Sequence, residues 1–151
     1  MGQEIDLLVN YPKTKRDLTK RLAEKTEEDR AIARQFGKDF FDGDRKNGYG
    51  GFSYMPRFWQ PVIPTFQEHF GLTADSSLLD VGCAKGFMMH DLAELIPGIT
   101  VKGIDISDYA IAHAMEDMKD WEKAGKIAAE ALDYACSLVK EGASLLDVTN
   151  K

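Results

Sequence analysis

Apolar and polar positions along the chain change period several times, and each change marks an element. From about Thr26 to Phe40, the residues Ile32, Phe36, Phe40 and Phe41 recur at three- or four-residue steps, which predicts a helix resting on a core. The next stretch, "FDGDRKNGYGGFSYMPRFWQP", keeps neither the helical nor the strand period. Its four glycines between Gly43 and Gly51 and five aromatics between Tyr49 and Trp59 predict a mobile, sticky loop. Pro61 and Pro64 then bracket the start of "PTFQEHFGL", an amphipathic helix ended by Gly71. "SSLLDVG" is a short apolar run closed by glycine and reads as a buried strand; "FMMHDLAEL" reads as a helix stopped by "IPG", and "TVKGIDIS" as a second strand.

From Asp108 the helical period returns and persists. Ile111, Met115, Met118, Trp121, Ala124, Ile127 or Ala128, Ala131, Ala135 and Leu138 keep it almost to Gly142, so an unbroken helix would span about 34 residues, or roughly 50 Å. Gly125 or the "MKDWEK" stretch would divide it into two. No further strand signal precedes "SLLDV" at residues 144–148, and a doubly wound sheet needs more strands than two. That pentapeptide also forms residues 77–81, but its two contexts differ. The first copy leads into a glycine turn, whereas the second follows the helix stop Gly142 and pairs Ser144 with Asp147, the spacing of a new helix start.

The 151 residues suffice for one ordinary domain, and a composition of 44% hydrophobic and 29% charged residues is that of a soluble globular chain. The net charge of −6 is unevenly placed: residues 1–46 carry 11 Lys/Arg against 10 Asp/Glu, leaving 8 against 15 for the rest. Such an acidic remainder argues against nucleic acid as a partner. Two cysteines, Cys83 and Cys136, form neither a disulfide framework nor a CxxC pattern, and His69, His90 and His113 lack a spacing such as HExxH. No metal site is expected. With no bilayer-length apolar run and no secretory pattern at the N-terminus, a cytoplasmic protein is expected, without a membrane partner.

One loop carries chemistry. In "LLDVGCAKGF", Asp80 lies at the end of a strand, and Gly82, Cys83, Ala84, Lys85 and Gly86 form the turn into a helix. Small residues there admit a ligand close to the backbone, and the helix start offers unpaired N–H groups. Nineteen residues after Gly86, Asp105 ends the next strand, where a carboxylate can accept hydrogen bonds from both ribose hydroxyls. The pattern is that of a nucleoside-binding half. A dinucleotide fingerprint would need glycines where Ala84 and Phe87 stand, and Phe87 obstructs it.

The segment "LLDVGCAKGFMMHDLAELIPGITVKGIDISDYAIAHA" resembles the first motif and second strand of class I S-adenosylmethionine-dependent methyltransferases, and the likeness extends over roughly residues 1–118. The resemblance implies an α/β, Rossmann-like fold. It also implies S-adenosylmethionine as cofactor, with Asp80, Gly82, Cys83, Ala84 and Gly86 lining its methionine end, Asp105 holding the ribose and Ile106 lying against the adenine. Ala84 departs from the glycine more common at its position. The implied chemistry is displacement at an activated methyl, in which alignment and desolvation dominate, so no catalytic residue need stand out. Tyr49, Tyr54, Arg57 and Trp59 are candidates for closing over cofactor or substrate; equally, they could pin the loop to the core. His90 reads as an ordinary helix residue, Cys83 as a small backbone contributor, and Met88, Met89, Met115 and Met118 as core filling.

A complete domain of that family resembles a seven-stranded sheet, and the later strands cannot be found here. The tail "AGKIAAEALDY…LVKEGASLLDV" instead resembles the N-terminal helix of archaeal-type methionine aminopeptidases, without any of that family's metal-binding positions. The expectation is therefore composite: a charged helical segment over 1–46, an incomplete methyltransferase domain over 47–120 with only the first two parallel strands flanked by helices, and a helical tail over 121–151. Its function would be methyl transfer to a small-molecule acceptor, weak or absent in a truncated domain. The competing expectation is a non-enzymatic helical protein that associates through its long helix or through the unpaired sheet edge.

Overall fold

A computed structural model describes residues 4–13 and 25–117. Residues 118–151 lie outside the described residues, and with them most of the expected long helix, Cys136 and the second "SLLDV".

The first helix, α1 (Glu27–Ala33), starts where Thr26 and Asp29 cap each other: the Asp29 amide donates to Thr26 Oγ1 at 3.1 Å and the Thr26 amide donates to the Asp29 carboxylate at 3.0 Å. It does not continue to Phe40 as predicted. Phe36 adopts φ 49°, in the left-handed region, and Gly37 starts a separate short helix, α2 (Lys38–Phe41). The break turns the Phe36 carbonyl toward the Ser107 hydroxyl, which donates to it across 71 residues of sequence. Periodicity survives such a kink because Phe36 and Phe40 still meet edge to face at 5.2 Å.

α3 (Ile63–Phe70) carries a proline in its first turn and ends at Gly71, whose φ of 64° is the left-handed cap that glycine adopts most readily. β1 (Ser77–Val81), α4 (Phe87–Leu95) and β2 (Thr100–Ile104) follow, and the two strands pair in parallel from Ser77 with Thr100 to Val81 with Ile104. Side chains alternate across a strand. Leu78 and Val101 accordingly join a core of Ile63, Leu92, Ile96 and Ile99, to which Trp59, Leu72 and Met88 add. Among the described residues nothing covers the other sheet face: Leu79 is 57% exposed and Val81 66%, so β1 is covered there on one side and not on both as the apolar run suggested.

The last described helix, α5 (Asp108–Ala112), is capped by Ser107. It stops after five residues. The His113 amide shares the carbonyls of Tyr109 and Ala110, and the Met115 amide donates instead to the Lys85 carbonyl at 3.1 Å, which turns the chain back toward α4. The helical period from Asp108 is thus interrupted after Ala112, and the rest of the expected helix lies outside the described residues. No helix among these residues is long and apolar enough to cross a membrane.

Candidate functional site

The glycine turn hangs from the carboxyl ends of both strands. The amides of Gly82 and Cys83 both donate to the Ile104 carbonyl, at 2.7 and 3.0 Å. Gly82, Ala84 and Gly86 all have positive φ, of 87°, 50° and 77°. Two of these positions are glycine, which takes that conformation without strain; at Ala84 a side chain does so because its amide is anchored, donating to Asp105 Oδ2 at 2.7 Å. Asp105 Oδ1 accepts from the Ser107 amide, also at 2.7 Å. Space stands open above Gly82, where a Cβ would meet nothing within 4 Å. Ile106 next to Asp105 is 80% exposed.

Asp80 and Asp105 set the electrostatics of this opening. Burial, reinforced by the negative charge of Asp105, pushes the Asp80 carboxyl up to about 6. Burial and the same two carboxylates push the Cys83 thiol up to about 12, so it is not a ready nucleophile. A cation entering beside these acids would be attracted, and an anion repelled.

Beneath the turn, Lys85 points inward and is nearly buried. Its ammonium donates to both Asp42 oxygens, at 3.0 and 2.8 Å, and to the Phe52 carbonyl at 2.9 Å. Asp42 also accepts from the Tyr109 hydroxyl at 2.7 Å and the Phe52 amide at 2.9 Å. Burial works to raise the Asp42 carboxyl, but Lys85 and the Phe52 and Tyr109 donors outweigh it and hold the group at about 2. This network ties the N-terminal half to the turn. Gly103 is required for a different reason: a Cβ there would lie 2.4 Å from Met89 Sδ and 2.7 Å from both Cβ and Sγ of Cys83. Only a bare backbone lets the turn and α4 close onto β2.

The aromatic loop residues divide. Tyr49 packs on Phe41 and Phe52, and Phe52 stacks on Phe87 at 4.8 Å beside the turn. Tyr54 sits edge-on to Phe87 and His90, and its hydroxyl donates to the buried Asp91. Arg57 lies over Phe58, and Trp59 packs in the core and against Tyr11, so the structure does not bring these two to the turn. The loop is irregular as predicted, and it is held down by these contacts. Asp42, Gly103 and Tyr109 carried no local sequence signal for their contacts here, since those partners lie 14 to 67 residues away, and the bond from Ser107 to Phe36 spans 71. Lys85 was visible in the turn, but its inward direction was not.

Comparisons with known proteins bear on this segment. No curated protein and no solved structure gives a significant match. One family model, described as a methyltransferase domain, matches residues 72–137, a span that holds β1, the glycine turn, α4, β2 and α5 and makes up less than half of the chain. That match supports a methyltransferase family, and methyl transfer in general, for the segment that carries the turn.

Proposed function

We propose that the turn at residues 82–86 binds S-adenosylmethionine and that the chain transfers the methyl group to a small-molecule acceptor. One observation carries the reading: an open, glycine-conformation turn at the carboxyl ends of two parallel strands, flanked by the carboxylates of Asp80 and Asp105. Ligands enter open α/β sheets at that place. S-adenosylmethionine is cationic at both its sulfonium and its ammonium, which suits a pair of acids of which one, Asp80, is raised by burial and then by its neighbour's charge. In this arrangement Asp80 receives the methionine end, with Gly82, Cys83, Ala84 and Gly86 supplying backbone and Ile106 an apolar surface for the adenine.

Asp105 has a double duty. Each of its oxygens already accepts one backbone hydrogen bond, and each retains a lone pair for a ribose hydroxyl. Tyr49 reaches the turn's surroundings through Phe52 and Phe87, while Tyr54 is anchored to α4, so closure over a ligand falls to the Tyr49–Phe52 side of the loop. The acceptor is then a small molecule approaching from that side, in a cytoplasmic setting.

Isothermal titration of the full chain with S-adenosylmethionine and with S-adenosylhomocysteine tests the proposal. Saturable one-to-one binding of both is expected, weakened by Asp80→Asn more for the cationic ligand than for the product. Flat heats with both ligands would sink the reading, and concentration-dependent sedimentation in the same preparation would then favour a self-associating protein whose open sheet face carries Leu79 and Val81.

A further inference from the structure

On the side of α4 turned toward the 54–60 loop, His90, Asp91 and Glu94 bring one nitrogen or oxygen donor each to within 4.8 Å of one another. We propose that these three side chains bind a first-row divalent transition cation of the Zn²⁺ class, at a site separate from the glycine turn.

Two observations point to a cation there. The first is Asp91, which has no exposed surface. Its Oδ1 accepts from the Tyr54 hydroxyl, but its Oδ2 is buried without a hydrogen-bond partner among the described residues. A buried carboxylate oxygen left unsatisfied is costly, and a ligated metal is one of the few ways to relieve it.

The second is the orientation of His90. Its Nδ1 lies 2.6 Å from Asp117 Oδ2, a contact that fixes the ring and leaves Nε2 as its outward nitrogen. That nitrogen faces Glu94 Oε2 at 3.7 Å. A carboxylate behind a histidine is also the usual support of a metal-binding imidazole. A proton on Nε2 is the competing occupant. It would pair with Glu94 as an ion but would leave Asp91 Oδ2 buried and unsatisfied, which a bound metal ion would not. A cation accounts for both features.

One imidazole and two carboxylates favour borderline cations over Ca²⁺ or Mg²⁺, which prefer all-oxygen shells. Ligand bonds of about 2.0–2.2 Å require the donors to draw together, and Glu94, whose side chain is 55% exposed, has room to swing inward. Gln60 Nε2, which donates to Glu94 at 3.3 Å, would steady it. The histidine–acid spacing of four along one helix was present in the sequence as His90 and Glu94. The partner that completes the site, Asp117, comes from 27 residues away through the turn after α5. The loaded site would join the 54–60 loop, α4 and the 113–117 turn.

The test uses the untagged full chain and Co²⁺ or Zn²⁺ as probe. Titration with Co²⁺ should give a saturable visible absorption band at one ion per chain, displaced by Zn²⁺. Glu94→Gln should abolish the band while leaving the circular dichroism spectrum unchanged. Asp117→Asn, which removes only the support of the imidazole, should keep a band but weaken affinity about 10- to 100-fold. His69→Ala should change nothing. No saturable binding by the parent chain, or a band that survives Glu94→Gln at undiminished affinity, would overturn the site.

Discussion

The Ala84 amide donates to Asp105 Oδ2 at 2.7 Å, so the acid at the end of the second strand holds the glycine turn in its left-handed conformation. Position 105 is therefore structural before it is anything else. Asp105→Ala is expected to destabilise the fold by about 2 kcal/mol, because two hydrogen bonds to a charged acceptor are lost, and to remove binding of S-adenosylmethionine. Asp105→Asn keeps one acceptor for Ala84 and should lose less stability. Urea unfolding and titration of both variants separate the two roles; an Asp105→Ala protein as stable as the parent would show that the tie contributes nothing.

Asp80 makes stability depend on pH in a defined direction. Its folded value of about 6 lies above the ordinary value of about 3.9, so the folded state favours the protonated form. The associated stabilisation is fully present below about pH 4 and is lost as pH rises through about 6. Asp80→Asn should flatten thermal stability over that window and raise the melting temperature at pH 7. Proton release on binding S-adenosylmethionine is expected near pH 6 and not at pH 8, measured by titration in buffers of different ionisation enthalpy. An unchanged pH slope in Asp80→Asn would assign the effect elsewhere.

The Asp42–Lys85 pair acts with the opposite sign. Asp42 is held at about 2, so its contribution is present above about pH 4 and fades as pH falls toward 2. Lys85→Met leaves a partly buried carboxylate with fewer donors and should cost about 2 kcal/mol at neutral pH, below the loss usual for a fully buried pair because Asp42 keeps some exposure. The double variant Lys85→Met with Asp42→Leu should recover part of that loss. A double variant no better than the single one would mean that packing, not charge, sets the cost.

Gly103→Ala should destabilise by about 1–3 kcal/mol, since the added methyl meets the Cβ of Cys83 and cannot be accommodated by a side-chain swing alone. Displacement of the turn should also weaken cofactor binding. Cys83→Gly in the same chain removes the Cys83 Cβ and Sγ from the clash, leaving the flexible end of Met89 to shift, and is expected to restore part of both losses, read by melting temperature and titration together.

Punctuation in the sequence marked the chain segments that hold the site. Gly71, Gly82, Gly86 and the "IPG" stop delimit α3, β1, α4 and β2 close to where they occur, because each changes the allowed backbone locally. The period of Ile32, Phe36 and Phe40 could not reveal the kink at Phe36, which depends on a hydroxyl 71 residues away. Nor could the apolar letters of β1 tell which face α4 would cover; that is decided by packing and leaves Leu79 and Val81 outward. Within the described residues, the helical period that starts at Asp108 stops after Ala112, where the Met115 amide is captured by the Lys85 carbonyl. At the site, glycines and acids were legible by type, whereas partner choice between Asp42, Lys85 and Tyr109 was set by three-dimensional proximity alone.

The hydrogen bonds that close on Lys85, Asp42 and Ser107 also set an order of assembly. β1, α4 and β2 form from neighbouring sequence, but the bonds from Lys85 and Tyr109 to Asp42 and from Ser107 to Phe36 span 43, 67 and 71 residues. Such distant pairings carry the largest loop-closure cost and are expected to form after the local ones. A chain beginning at residue 72, where the matched segment starts, would lack Asp42 and the Phe52 carbonyl that hold the Lys85 ammonium. The floor of the turn is laid last, by the part of the chain synthesised first.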